Sequence, residues 1–172
     1  MDTLEAIRKR RSVRSFLPDP VPERDLRKIL EAASWAPSAG NCQPLELVVV
    51  RDPRLKEEVK EAAFGQSFLE EAPVLVVVCA DVERTTSRYG SRGELFYVQD
   101  TAAATQNLLL AATSLGYGTC WVGAFMEEEV SRALRLPRGV RPLAIVPIGR
   151  SAESPEAPPR RPLEEMVHWD GY

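Results

Sequence analysis

Histidine is nearly absent from this chain of 172 residues, whose only example is His168. Catalytic triads and most multi-histidine metal centres need imidazole groups to accept protons or to bind the metal. The sequence therefore disfavours histidine-dependent hydrolases and zinc enzymes, and we predict no metal site.

Cysteine is also scarce. Cys42, Cys79 and Cys120 are odd in number and far apart, which fits neither a disulfide framework nor a CxxC motif. Cys79 and Cys120 fall in predicted strands and are expected to lie in the core as small apolar side chains.

Long apolar runs are missing. The longest ones, such as residues 74–80, are too short to cross a bilayer, and no apolar run follows the first few residues. We therefore expect neither a membrane span nor a signal peptide. Together with the cysteine usage, this predicts a location in the reducing cytoplasm.

Glycine-rich phosphate loops are absent too. The run 116–121 comes nearest to a dinucleotide fingerprint, but Trp121 stands where the third glycine belongs, and a predicted strand follows the run instead of preceding it. A nicotinamide-binding Rossmann domain is therefore disfavoured. No side-chain acid, base or nucleophile stands out, so an enzyme with this sequence would depend on the chemistry of a cofactor.

Positive charge is present in one dense cluster, although the formal net charge of the chain is -3. Five of the seven residues from Arg8 to Arg14 are basic, and a second basic pair, Arg160 and Arg161, follows much later. A helix end favours cations and accounts for the cluster as far as Arg11. Arg14 lies beyond the predicted helix, so a helix end and an anion site both stay open.

A polar loop, residues 37–44, is the other informative run. Prolines bound it, and it carries a glycine, a hydroxyl and two side-chain amides that could bind a polar heterocycle. The same composition is typical of an ordinary turn, so this interpretation stays open as well.

The hydrophobic content of 44% and the length predict one domain, residues 1–172, with a sizeable core. Helices and strands mix without strict βαβ alternation, which favours an α+β fold. The segment 84–93 lacks periodicity and is predicted to be a loop, and 151–162 is predicted to be extended. The predicted helices are 3–9, 22–36, 53–63, 94–115 and 127–134, and the predicted strands are 45–51, 74–80, 119–124 and 141–149.

Four segments together resemble the nitroreductase family of FMN-dependent oxidoreductases, in its short-chain branch. They are RRSVR at 10–14, APSAGNCQP at 36–44, the run 100–125, and the ending 145–168. They occur in the expected order and span essentially the whole chain.

The resemblance implies a central, mainly antiparallel sheet flanked by helices, in an intertwined homodimer with FMN at the interface. The tail 151–172 would then pack on the partner subunit. Asp100, Gln106 and Asn107 are expected to pair with backbone groups at this interface and not with substrate.

The same resemblance assigns the cationic residues to the cofactor. Arg10, Ser12 and Arg160 would bind the FMN phosphate, with Arg11 and Arg161 nearby. Arg14 would face the pyrimidine end of the flavin, where a fixed positive charge raises the reduction potential.

The remaining cofactor contacts implied by the resemblance come from two loops and one strand. The polar loop would reach the flavin from the other subunit, the strand would back the ring with the N–H of Gly123 towards N5, and Gln66 would lie at the pyrimidine edge. The residues concerned are Pro37, Ser38, Ala39, Asn41 and Gln43 of the loop, Trp121, Val122, Gly123 and Ala124 of the strand, and Gln66.

The implied activity is hydride transfer from NADH or NADPH, through flavin N5, to nitroaromatics, quinones or similar small acceptors in a ping-pong cycle. The substrate side of the pocket would be formed by Arg88, Tyr89, Arg92 and Phe68. Reductive dehalogenation and flavin destruction are alternatives within the family. Flavin binding without turnover is also open, whereas nucleic-acid binding is disfavoured because the basic residues form no stripe.

Overall fold

The protein is described by a computed structural model that covers residues 1–172. A four-stranded antiparallel sheet lies at its centre, in the spatial order β1-β2-β4-β3. The predicted α+β class is confirmed. The strands are β1 (Leu45–Val50), β2 (Val74–Asp81), β3 (Gly118–Thr119) and β4 (Val140–Gly149), and the helices are α1 (Thr3–Lys9), α2 (Glu23–Ser34), α3 (Pro53–Ala62), α4 (Phe68–Glu71), α5 (Glu83–Tyr89), α6 (Gly93–Ser114) and α7 (Glu127–Ala133).

Strand β2 is apolar along nearly its whole length because helices cover both faces of the sheet. Val76 faces one side, where α2 and α6 contribute Ile29 and Leu108 to a buried cluster. Val77 faces the other side and packs in a second cluster with Val59 of α3. The alternation of side chains along a strand thus divides the core into two layers.

Polar caps fix where two of the predicted helices begin. The carboxylate of Asp2 accepts a hydrogen bond from the backbone N–H of Glu5 at 2.8 Å. The carboxylate of Asp52 accepts from the N–H groups of Arg54 and Leu55, and Pro53 occupies the first turn, where no N–H is needed.

The prediction of a loop over 84–93 is wrong. The segment forms α5 and a 3₁₀ turn, residues 90–92, before α6 begins. Helix α5 lacks apolar periodicity because Thr85 is its one buried residue. Tertiary packing stabilises a helix this short, and periodicity cannot reveal it.

The predicted strand 119–124 is shorter in the structure. Only Gly118–Thr119 is continuous with the sheet, and Val122 forms an isolated pair with Ile145 of β4. The cysteine prediction is confirmed, because Cys79 and Cys120 are 0% and 2% exposed and unpaired. No helix in the structure is long and apolar enough to span a membrane.

Lys56 is a buried cation that joins α3 to the end of α4. Its ammonium donates to the carbonyl oxygens of Glu70 and Ala72, both at 2.8 Å. We expect Lys56→Met to lower the free energy of unfolding by about 2 kcal/mol, because both carbonyls lose a charged donor. Urea denaturation at fixed protein concentration measures this. The exposed Lys28→Met serves as the control, and equal stability of the two variants would contradict the expectation.

Candidate functional site

The basic segment near the start of the chain lies along the edge of the sheet. The backbone N–H of Val13 donates to the carbonyl of Thr119 at 2.8 Å, and Ser12 pairs with Thr119 in parallel register. The next residues run antiparallel to the chain after β4, since Leu17 N–H donates to the carbonyl of Arg150 at 2.8 Å. These contacts place residues 10–14 beside the chain that follows β3.

The three arginines of this segment, Arg10, Arg11 and Arg14, make different contacts. Arg11 donates to the carbonyl oxygens of Arg8 and Arg10 at 2.7 and 2.8 Å. Its guanidinium is therefore used to pair carbonyl groups at the end of α1 that have no partner within the helix. The guanidinium groups of Arg10 and Arg14 make no hydrogen bond or ion pair within the chain, although the backbone N–H of Arg14 donates to Glu153 at 2.5 Å. The helix-end interpretation therefore accounts for Arg11, and the anion-site interpretation fits Arg10 and Arg14.

The Cys120 thiol lies beside three polar side chains of this segment. Burial raises the pKa of Cys120, whereas Arg14, Ser12 and Arg10 act in the opposite direction. The pairing of Ser12 with Thr119, the residue before Cys120, places the basic segment next to the thiol. We call Arg10, Ser12 and Arg14 the cationic site, which combines two unpaired guanidinium groups with one hydroxyl.

The chain after Cys120 forms an exposed ledge, residues 121–124, next to the cationic site. Val122 points inward and exchanges two backbone hydrogen bonds of 2.9 Å with Ile145. Trp121, Gly123 and Ala124 are exposed, and a Cβ on Gly123 would meet nothing within 4 Å. The ledge thus offers a flat, open surface with backbone groups at its centre.

Gln66 contacts the end of this ledge, and its expected place at the pyrimidine edge of the flavin stays a prediction. Its side-chain amide donates to the carbonyl of Ala63 at 2.8 Å and to that of Ala124 at 3.2 Å. The two bonds fix the orientation of the amide, and its oxygen is left to accept a hydrogen bond from a ligand.

The polar loop lies in a different part of the protomer and makes no hydrogen bond to the cationic site or to the ledge. Within it, the hydroxyl of Ser38 accepts from the N–H of Gln43, and the side chain of Gln43 donates to that of Asn41, both at 3.0 Å. Pro37 and Ser38 border a cavity of about 270 Å³ in front of Asp100. One protomer therefore carries two separate sets of the predicted cofactor residues.

The C-terminal tail is exposed from residue 156 to residue 172. Arg160 donates only to the carbonyl oxygens of Pro158 and Pro159, and Arg161 binds Glu165. The expected meeting of Arg160 with Arg10 on a phosphate stays a prediction.

The expected substrate side of the pocket needs correction at two places. Phe68 is 8% exposed and lies in the core, so its expected position at the pocket is wrong. Arg88 donates to the carbonyl of Gly40 at 2.7 Å instead of standing free at a rim. Tyr89 and Arg92 both pack on the ring of Phe96.

The long helix α6 supplies two polar side chains that bind backbone groups of the same chain, whereas their expected place at a subunit interface stays a prediction. Asp100 accepts from the N–H of Ala39 at 3.0 Å, and Asn107 donates to the carbonyl of Ala32 at 3.2 Å. Burial raises the pKa of Asp100, and the hydrogen bond from Ala39 lowers it. Gln106 makes no such bond.

Gly118 is required for the close packing of the basic segment on β3. A Cβ there would lie 2.9 Å from Cγ2 and 3.0 Å from Cβ and Cγ1 of Val13. We expect Gly118→Ala to lower the free energy of unfolding by about 1–3 kcal/mol, because buried Val13 has no room to move. Urea denaturation measures the loss. In a Val13→Ala background, Gly118→Ala should lower the free energy of unfolding by less than it does in the wild type. An equal loss in both backgrounds would show that the contact with Val13 is not the cause.

The architecture described above is a nitroreductase fold. A solved structure from Parabacteroides distasonis, described as a putative NADH dehydrogenase/NAD(P)H nitroreductase, is similar with a TM-score of 0.87 and 32% identity, covering 99% of this chain and 98% of that one. The NADPH:FMN oxidoreductase of Vibrio harveyi, solved with NAD+, gives a TM-score of 0.90 at 28% identity, covering 99% and 77%.

Sequence comparison identifies the family. The model described as "Nitroreductase family" matches residues 7–67 and 60–150. An NADH dehydrogenase of Thermus thermophilus is 39% identical over 98% of this chain and 96% of its own length. An oxygen-insensitive NADPH nitroreductase of Salmonella typhimurium is 33% identical, with 99% and 74% covered. The chain belongs to the nitroreductase family, as its four segments predicted.

Proposed function

We propose that this protein is an FMN-dependent oxidoreductase that transfers hydride from NADH or NADPH to nitroaromatics, quinones or similar small acceptors. The observation that carries the proposal is the cationic site, in which the guanidinium groups of Arg10 and Arg14 form no ion pair within the chain and which lies beside an exposed ledge. The names of the relatives, which include an NADPH nitroreductase and an NADPH:FMN oxidoreductase, support the activity.

The donor set suits the two ends of FMN. Arg10 and the Ser12 hydroxyl provide charge-assisted and neutral hydrogen bonds for a phosphate. Arg14 would provide a fixed positive charge for the pyrimidine end of the ring. Gln66, already held by two carbonyl groups, presents its amide oxygen to the same edge.

The ledge suits a flat ring. Gly123 lets a ring approach its backbone N–H closely because it has no Cβ, and nothing else occupies that space. Trp121 is 40% exposed and can exclude water from one side of a bound ring. When bound, FMN supplies the redox chemistry, and the protein binds it, orients it and adjusts its electrostatic surroundings.

The complete site requires two copies of the chain, and we propose a homodimer. The polar loop lies just before β1, at the sheet edge opposite β3 and the cationic site, and residues 156–172 of the tail make no hydrogen bond to that site, so we assign their contacts with FMN to the opposite subunit. Exposed apolar side chains on the helices and the tail provide the area for such an interface. They include Leu4, Ile7, Trp35, Leu95, Val98, Leu163, Met166 and Trp169.

Steady-state kinetics test the activity. With FMN-loaded protein, initial rates at varied NADH or NADPH and several fixed concentrations of a quinone or nitroaromatic should give parallel double-reciprocal lines. That pattern is expected when both substrates use one pocket in turn. FMN-loaded protein that oxidises neither NADH nor NADPH with any acceptor would contradict the proposal and leave a flavin-binding protein without turnover. Sedimentation equilibrium tests the dimer.

A further inference from the structure

The polar loop has a backbone shape that needs support from outside. Asn41 and Gln43 have φ values of 56° and 51°, in the left-handed region that residues with a Cβ rarely adopt, and Gly40 between Ala39 and Asn41 has a φ of 53°. Such conformations cost free energy, and they persist where the surroundings determine the backbone.

Three side chains from α5 and α6 bind consecutive parts of this backbone. Asp100 accepts from the N–H of Ala39 at 3.0 Å, Arg88 donates to the carbonyl of Gly40 at 2.7 Å, and Arg84 donates to the carbonyl of Cys42 at 3.0 Å. We call Asp100, Arg84 and Arg88 the clamp. All three bonds involve a charged side chain, which makes them stronger than neutral ones.

The two helices that carry the clamp, α5 and α6, are packed closely together. A Cβ on Gly93 would lie 2.7 Å from the Cα of Thr86, so α5 and the start of α6 are in backbone contact. The ring of Tyr89 packs edge-on against that of Phe96 with 5.1 Å between centroids. On the loop side, a Cβ on Gly40 would collide with the hydroxyl of Tyr89. The loop and α5 therefore fit together as one unit.

The clamp leaves the outer side of the loop free. It binds backbone groups only, and the side chains of Asn41 and Gln43 remain exposed. Gln43 donates to Asn41, so these two amides are also held relative to each other. A loop fixed in this way before binding loses little conformational entropy when a ligand arrives.

We propose that Arg84, Arg88 and Asp100 are positioning residues that hold the polar loop in the shape in which it binds FMN across the dimer. The inference rests on the proposed function. Arg88, which was expected at the rim of the substrate pocket, would then act in FMN binding instead, because it holds the polar loop in place. Loss of the clamp should weaken FMN binding without removing any group that touches FMN.

The first test uses the protein without FMN. Amide hydrogen exchange followed by NMR should show faster exchange at Ala39 in Asp100→Leu by about tenfold or more, since its acceptor is gone. Asp100→Asn keeps an oxygen acceptor and should restore most of the protection. Unchanged exchange in Asp100→Leu would overturn the clamp.

The second test measures FMN affinity by fluorescence titration. The double variant Arg84→Gln/Arg88→Gln should raise the Kd by about tenfold, a change equivalent to about 1.4 kcal/mol, with unchanged dimerisation. The double variant Arg135→Gln/Arg138→Gln, at two exposed arginines whose side chains make no hydrogen bond or ion pair, is the matched control and should bind FMN as the wild type does. The effect of removing two positive charges is thereby separated from loss of the clamp.

The outcomes of the two tests separate the inference from the proposed function. Faster exchange with an unchanged Kd would overturn the positioning role, because the loop would then not bind FMN. Wild-type protein that binds no FMN would overturn the proposed function and the inference with it. An equally elevated Kd in Arg84→Gln/Arg88→Gln and in Arg135→Gln/Arg138→Gln would assign the effect to charge alone and also overturn the inference.

Discussion

FMN binding to the Arg10→Ala variant is expected to be weaker than binding to the wild type by about a hundredfold. Arg10 is partly buried beside Ser12, and its guanidinium has no partner within the chain. A phosphate there would receive charge-assisted hydrogen bonds, which contribute about 1.5–3 kcal/mol each. Truncation of the side chain removes both the charge and the donors.

Fluorescence titration of the apoprotein with FMN, at several salt concentrations, measures this effect. Arg8→Ala is the matched control, because Arg8 lies two residues before Arg10 in the last turn of α1, is exposed and contributes the same charge. It should change the Kd by less than about twofold, since exposed charges act weakly through water. If Arg8→Ala and Arg10→Ala weaken binding equally, the basic cluster acts only as a diffuse field and Arg10 does not bind the phosphate.

A lower reduction potential with most of the FMN affinity retained is expected for Arg14→Ala. Negative charge develops at the pyrimidine end of a flavin on reduction, and a fixed guanidinium there favours the reduced form. The expected decrease is about 30 mV or more, which for a two-electron couple corresponds to about 1.4 kcal/mol. Arg14→Lys keeps the charge and should stay near the wild type.

Anaerobic equilibration with reference dyes measures the potential of each variant with FMN bound. The contrast with Arg10→Ala is the decisive part of the design, because one arginine should control affinity and the other should control potential. An equal loss of FMN in both variants, with an unchanged potential in the flavoprotein that remains, would contradict this division of roles.

The sequence predicted most helices because their periodicity or caps were local. Pro53 and Asp52 fixed the start of α3, and the apolar face of α2 ended before Pro37. Helix α5 was missed because its stability depends on Thr85 and on contact with α6, which no local pattern reveals.

The sequence indicated candidate site residues, but it did not indicate how they are arranged in space. The segment that carries Arg10, Ser12 and Arg14 lies along β3, and Gln66 contacts the ledge at Ala124, whereas the roles of these residues at FMN stay predictions. Arg11, by contrast, is engaged at the end of α1, which the sequence left open. The placement of the tail on a partner, the cytoplasmic location and the absence of nucleic-acid binding stay predictions.

The clamp could not be predicted because hydrogen bonds to backbone carbonyl groups leave almost no signal in a sequence. Arg84 and Arg88 bind carbonyl oxygens of Cys42 and Gly40, groups that every residue carries. The backbone pairing of Asp100 was expected, yet its partner in the polar loop emerged only from the fold.

The central claim is that the protein binds FMN and that NADH or NADPH reduces it there. The most direct measurement is the absorption spectrum of purified protein after incubation with FMN and removal of the unbound excess. We predict a flavin spectrum that bleaches on anaerobic addition of NADH or NADPH. Protein that stays colourless after incubation, or a bound flavin that neither nucleotide reduces, would contradict the account.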